Sequence, residues 1–169
     1  MDDPGVAKVP FDIGAYVQRT KEGPCFICAL VSGESEAFHE IVFEDRAHVA
    51  FLSRYPTLAG YTLVSPKRHI EDAVGGFTEE EYLAIQAVVR KVGLSLQAVL
   101  PVERVYVLSL GSRQGNAHAH WHVAPLPPGI PYEQQQFHAL MAENGIIEQD
   151  PETKVKLAQR LRNAIHSQG

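Results

Sequence analysis

The chain has 169 residues, 45% of them hydrophobic, which is the length of one domain with enough apolar side chains for a sizeable core. Its formal charge of −5 argues against a broad cationic face for a nucleic-acid backbone, while a small pocket can still hold an anion with few cations. No apolar run approaches the roughly 20 residues of a membrane span, and the N-terminus lacks the basic-then-apolar pattern of a signal peptide, so a soluble, cytoplasmic protein without membrane or general nucleic-acid binding is expected.

Residues 1–11 carry no pattern, and Pro4 and Pro10 argue against a regular element, so a loose arm is expected there. A short helix over 12–20 follows Asp12, and Gly23-Pro24 then makes a turn that presents Cys25-Phe26-Ile27-Cys28. These are the only two cysteines, and in a reducing compartment the spacing suits a metal half-site or a redox pair better than a structural disulfide. Residues 37–43 and 48–52, separated by Glu44-Asp45-Arg46, read as a hairpin, with His39 and His48 expected at its surface or flanks. Tyr61-Thr62-Leu63-Val64-Ser65 reads as a strand stopped by Pro66, and Lys67-Arg68-His69 as a loop with both cations solvated.

Thr78-Glu79-Glu80-Glu81 is a capping box, because the threonine hydroxyl bonds the backbone N–H at Glu81 while that glutamate reaches back. The helix it starts carries Tyr82, Ile85, Val89, Val92, Leu96 and Val99 as one apolar stripe and stops before Pro101. A strand is expected over 105–110 and a Gly/Ser-rich turn over 111–116, the turn's backbone N–H groups being candidate oxyanion donors. The strand after the turn should end at Pro125, since Leu126-Pro127-Pro128-Gly129-Ile130-Pro131 lacks ladder donors. A short helix over 132–141 follows, and then a final helix capped by Asp150-Pro151 with Leu157, Leu161 and Ile165 inward. Short turns between neighbouring strands favour an α+β fold with an antiparallel sheet of five strands, one long central helix and a C-terminal helix.

The chemistry concentrates in His118-Ala119-His120-Trp121-His122. In a strand, alternation puts the three imidazoles on one face and Ala119, Trp121 and Val123 on the other, and such a strand is expected to run antiparallel to 105–110. Three imidazoles on one face suit three chemistries: a zinc site with an open position for water, a histidine nucleophile attacking phosphorus, or a non-catalytic ligand pocket.

This pattern resembles the signature of the histidine-triad nucleotide hydrolases and transferases. Similar blocks occur in the same order: Cys25-Phe26-Ile27-Cys28, Glu44-Asp45, Ala50-Phe51-Leu52, the run from Gly60 through Ser65-Pro66-Lys67-Arg68-His69, and Gln114 six residues before the middle histidine. The resemblance covers roughly residues 23–126, leaving 1–22 as an N-terminal arm and 127–169 as a helical extension of the same domain. It implies an HIT-like five-stranded antiparallel sheet, a homodimer with a ten-stranded sheet, and attack at the α-phosphate of a nucleotide conjugate such as a dinucleoside polyphosphate or phosphoramidate. By position, His120 would be the nucleophile and His122 would orient it and help bind phosphate. Gln114, Ser112 and Asn116 would contact the substrate, and Ser53 stands where the family usually has an aspartate on the ribose hydroxyls. In the family's zinc-bearing branch, Cys25, Cys28, His69 and His118 would hold a closed, structural ion.

Overall fold

A computed structural model describes residues 7–35, 39–110 and 116–168. The first element is β1, Lys8–Val9, followed by α1, Ile13–Glu22, whose N-cap Asp12 accepts from the Ala15 N–H at 2.8 Å. The turn at Gly23-Pro24 does not leave the thiols in a loop, because Cys25 caps a second helix, α2, Phe26–Ser32. Then come β2, Ile41–Glu44, β3, His48–Leu52, and β4, Thr62–Pro66. The long helix α3 is Glu79–Val99, and β5, Arg104–Leu108, and β6, Trp121–Leu126, complete the main sheet. A one-turn helix α4, Phe137–Leu140, a short β7, Ile146–Ile147, and helix α5, Pro151–His166, close the described chain.

The five-stranded sheet has the order β2-β3-β4-β6-β5 with every neighbour antiparallel, as the short connections require. Both faces are covered, so β3 and β4 are buried at every position instead of alternating. On one face α3 and α5 pack against Val42, Ala50, Val64 and Trp121; on the other, α2 and the chain around Ala139 cover Val49, Phe51 and Leu63. The capping box at Thr78 forms as the sequence predicts, and the α3 stripe is buried at Ile85, Val89, Val92 and Leu96. Glu81 also accepts from the Arg68 guanidinium at 2.9 and 3.0 Å, and Lys67 reaches Glu44 at 2.7 Å. Lys67 and Arg68 are thus ion-paired and not simply solvated, and they tie the loop carrying His69 to α3 and to β2.

Several expectations fail for local reasons. Lys8–Val9 pairs with Ile146–Ile147, and Phe11 packs on Tyr16 and Tyr55, so the N-terminal arm from residue 7 onward is docked. The strand passes through Pro125 to Leu126: β4 pairs with β6 only as far as Val123, and a proline with a neighbour on one side is tolerated as on an edge strand. The helix expected over 132–141 breaks into a 3-10 turn at Tyr132–Gln134 and α4, since Gln136 adopts φ 52° and its N–H bonds the Tyr106 hydroxyl. His48 is buried in β3 with its ring 3.0 Å from Asp45, where a surface histidine was expected. No described helix is long and apolar enough to cross a membrane.

Leu161 is fully buried between α5 and α3. Leu161→Ala is expected to lower unfolding free energy by about 2–5 kcal/mol, against about 1 kcal/mol for Thr78→Ala, which removes only the cap. Urea denaturation of both variants checks the order.

Candidate active site and metal centre

The expected histidine strand begins one residue before its last histidine. Backbone pairing between β4 and β6 stops at Val64 opposite Trp121, and side chains take over beyond it. The Ser65 hydroxyl donates to the Ala119 carbonyl at 3.0 Å, the Ser109 hydroxyl donates to the His120 carbonyl at 2.8 Å, and the Ala119 N–H donates to Ile70. Trp121 goes to the helix side, where Phe77 and Tyr82 meet it edge-on, while His120 and His122 face a cavity on the other side. The predicted division of faces therefore holds at Trp121, although His118 and His120 lie outside the ladder.

His118 points away from the other two. Its Nδ1 lies 3.4 Å from Cys25 Sγ and 3.6 Å from Cys28 Sγ, and His69 Nδ1 lies 3.3 Å from Cys28 Sγ. All four donor atoms fall within 4.8 Å of one another, so Cys25, Cys28, His69 and His118 form a candidate metal site. The fit to a tetrahedral ion is good, since zinc–sulfur and zinc–nitrogen bonds place neighbouring S and N ligands about 3.5 Å apart. The outward nitrogens are also engaged: His118 Nε2 donates to the Pro66 carbonyl at 2.8 Å and His69 Nε2 to Glu71 at 3.3 Å. Such outer bonds leave each Nδ1 as a lone-pair ligand. Cys25 at the N-cap and Cys28 three residues on share one end of α2. Burial, and then the neighbouring Cys25, push the Cys28 thiol up to about 11, so without a cation beside it that thiol stays protonated at pH 7.

The remaining triad members line a cavity of about 810 Å³. His120 Nδ1 lies 2.7 Å from the His118 carbonyl; a carbonyl only accepts, so Nδ1 carries the proton and Nε2 keeps its lone pair. His122 Nδ1 is 3.0 Å from the Tyr61 hydroxyl, and the two triad rings sit 4.8 Å apart. Burial raises the Tyr61 hydroxyl far above its ordinary value, so it stays protonated; donating to His122 Nδ1, it would put the imidazole proton on Nε2. Burial, with the charge of His120 added, pushes His122 down to about 3, and burial likewise lowers His120, outweighing the His118 carbonyl that favours its charged form. Both rings are neutral at pH 7.

Ser53 and Asn116 both line the cavity. The Ser53 hydroxyl accepts from the Tyr55 N–H at 3.2 Å, while Asn116 Nδ2 has no partner among the described residues. Ser112 and Gln114 lie outside the described residues, as does the turn that would supply oxyanion donors. Two cavity residues escaped the sequence reading. Tyr61 carried a signal, since it shares the alternating face of Leu63 beside β4, and Gly60 before it needs its φ of 83°. His39, expected to be a flanking residue, stacks on Phe26 at 5.8 Å and meets Phe51 edge-on at 5.5 Å, a contact between distant segments that no local pattern announces.

Residues 34–128 match the HIT domain. The chain belongs to the HIT family. It is 29% identical over 104 residues to a HIT-like protein of Saccharolobus solfataricus, covering 60% of this chain and 73% of that one. A HIT-like protein of Mycobacterium tuberculosis is 32% identical over 106 residues, or 60% of this chain and 71% of the relative. Among solved structures, a hypothetical histidine triad nucleotide-binding protein of Sulfolobus tokodaii superposes with TM-score 0.69 at 26% identity, covering 85% of this chain and 93% of that one. A Zn-bound histidine triad family protein of Mycobacterium smegmatis gives TM-score 0.68 at 24% identity, covering 85% and 94%. The matched HIT segment begins after both cysteines, so half of the candidate metal ligands lie outside it.

For this HIT protein, one metal ion per chain is expected by elemental analysis of reduced preparations, with loss in Cys28→Ser. At free metal near 100 times Kd the ion adds about 2.7 kcal/mol, so chelation should lower the melting midpoint by roughly 5–10 °C. A metal-free protein whose midpoint ignores chelator would refute the site.

Proposed function

We propose that this HIT protein is a hydrolase or transferase acting at the α-phosphate of a nucleotide conjugate through a covalent intermediate on His120. The observation that carries this reading is the 2.7 Å bond from His120 Nδ1 to the His118 carbonyl, which turns a neutral Nε2 lone pair toward the cavity. That lone pair forms an N–P bond while the bond from phosphorus to the leaving group breaks, its electron pair departing with that group. Water or another acceptor then attacks phosphorus, and the pair of the N–P bond returns to Nε2. His122 Nε2–H, held by Tyr61, donates to a phosphate oxygen as negative charge builds. Phe26, His39 and Phe51 offer a wall of rings for a base, with Ser53 assigned to the ribose and Asn116 to the phosphate; Ser112 and Gln114, outside the described residues, are assigned to the phosphate by resemblance alone.

Zinc suits the thiolate-and-imidazole set, and four protein ligands leave it no position for substrate, which makes the ion structural. A zinc hydrolase with all three triad histidines as ligands is less well supported, because His118 Nδ1 faces the thiols. A homodimer through the free side of β5 fits the half-exposed Val107 and the exposed Leu110 there. The two unpaired thiols fit a reducing, cytoplasmic setting.

Two sets of measurements test the mechanism. His120→Ala is expected to lose about 10³-fold or more of turnover while binding nucleotide, and a chiral phosphorothioate substrate should be processed with net retention. Inversion, or near-normal turnover in His120→Ala, would point instead to direct attack by water and would falsify the covalent step. The second is the pH profile. Because the folded pKa of His120 lies below the ordinary 6.5, kcat/KM should remain flat as pH falls through 6.5 and decline only below it, as protonation removes the lone pair. An acid limb centred above 6.5 would assign the titration to another group.

A further inference from the structure

The lining of the cavity is not limited to the two histidines and the ring wall. Part of it comes from α1 and from the segment between β3 and β4, and α1 lies outside the matched HIT segment. Tyr16, Arg19 and Thr20, at spacings of three and four on one helix face, and Lys21 border this part, and Arg54 faces it from the other segment. The rings of Phe11, Tyr16 and Tyr55, with centroids 4.8–5.8 Å apart, hold α1 against that segment. None of Arg19, Lys21 and Arg54 has a carboxylate partner among the described residues. Among the described residues the cavity lining holds one acidic residue, Glu71, and it is bonded to His69. Three cations therefore converge on one space in a protein whose formal charge is −5. A second observation is independent of charge. Thr57 lines the same cavity at 3% exposure, yet its Oγ1 has no hydrogen-bond partner among the described residues, a group that a ligand oxygen would satisfy.

We propose that Arg19, Lys21, Arg54 and Thr57 form an anion compartment that selects a leaving group of two or more linked phosphates. The term leaving group rests on the covalent reading above; the anion binding does not. When the α-phosphorus bond to the bridging oxygen breaks, the electron pair and its charge stay on the polyphosphate, and the three cations stabilise that charge without a proton donor. A neutral amine or alcohol gains nothing there. The compartment thus favours phosphoanhydride over phosphoramidate substrates.

Calorimetric titration of the full chain with inorganic tripolyphosphate at low salt is the direct test. Wild type is expected to bind it, R19Q/K21Q/R54Q to bind it about tenfold or more weakly, and R19K/R54K to bind as wild type, all with AMP affinity within about twofold and unchanged melting. Thr57→Val, which keeps the shape and removes the hydroxyl, should weaken tripolyphosphate by about threefold. No binding by wild type, or equal binding by the triple glutamine variant, overturns the proposal. Turnover separates the two readings. The triple variant should lose about tenfold or more in kcat/KM on a dinucleoside tetraphosphate and under about threefold on a nucleoside phosphoramidate with an uncharged amine. Cation-dependent tripolyphosphate binding without turnover of either substrate would retire the covalent histidine and keep the compartment. His120-dependent turnover that ignores the three cations would do the reverse.

Discussion

The exchange of backbone pairing for side-chain bonds just before Trp121 decides the rest of the site. Had the β4–β6 ladder continued, His118, His120 and His122 would have lined one face together and the thiols would have had no imidazole from β6. Instead Ser65, Ser109 and the Ile70 carbonyl hold residues 119 and 120 outside the ladder. The carbonyls of His118, Ala119 and His120 and the Ala119 N–H all find partners there, which is what a departure from regular pairing requires. The result is a division of labour among three residues of one type: one imidazole toward two cysteines, and two toward the cavity.

Electrostatics then separates the two compartments. On the metal side, desolvation and the neighbouring Cys25 hold the Cys28 thiol above its ordinary value, and the imidazoles are turned with Nδ1 inward by Pro66 and Glu71. On the cavity side, burial strips charge from His120 and His122, so the positive charge available to an anion comes from Arg19, Lys21 and Arg54. Neutral rings at His120 and His122 and cations elsewhere in the lining of the same cavity are compatible demands. A cationic imidazole could not attack phosphorus, and a neutral wall could not hold a phosphate chain.

Features written in local periodicity were legible in the sequence. The α3 stripe, its Thr78 box, the Asp150-Pro151 start of α5 and the antiparallel sheet all follow from spacing and caps within a few residues. The grouping of Cys25, Cys28, His69 and His118 was legible only through resemblance, because it joins segments up to 93 residues apart. What stayed hidden depended on tertiary partners. Lys8–Val9 becomes a strand only because Ile146–Ile147 is beside it, and Gln136 breaks a helix because Tyr106 receives its N–H. His39 belongs to the cavity because Phe26 and Phe51 flank it, and Pro125 is tolerated because β4 ends early. None of these partners lies within a helical turn of the residue concerned.

His118 joins the two compartments through two different atoms. Its ring belongs to the cysteine-and-histidine set, and its carbonyl accepts from His120 Nδ1. The ring is fully buried and pinned at Nε2 by Pro66, so the peptide that carries the carbonyl has little freedom once the donors close around an ion. Loss of order among the thiols would reach His120 through this one peptide, altering the direction of its lone pair without touching any cavity-lining side chain. The candidate metal site and the proposed nucleophile, at His118 and His120 and so 2 residues apart in sequence, are thus joined by one peptide, and the orientation of His120 Nε2 is set from the side of the cysteine-and-histidine set.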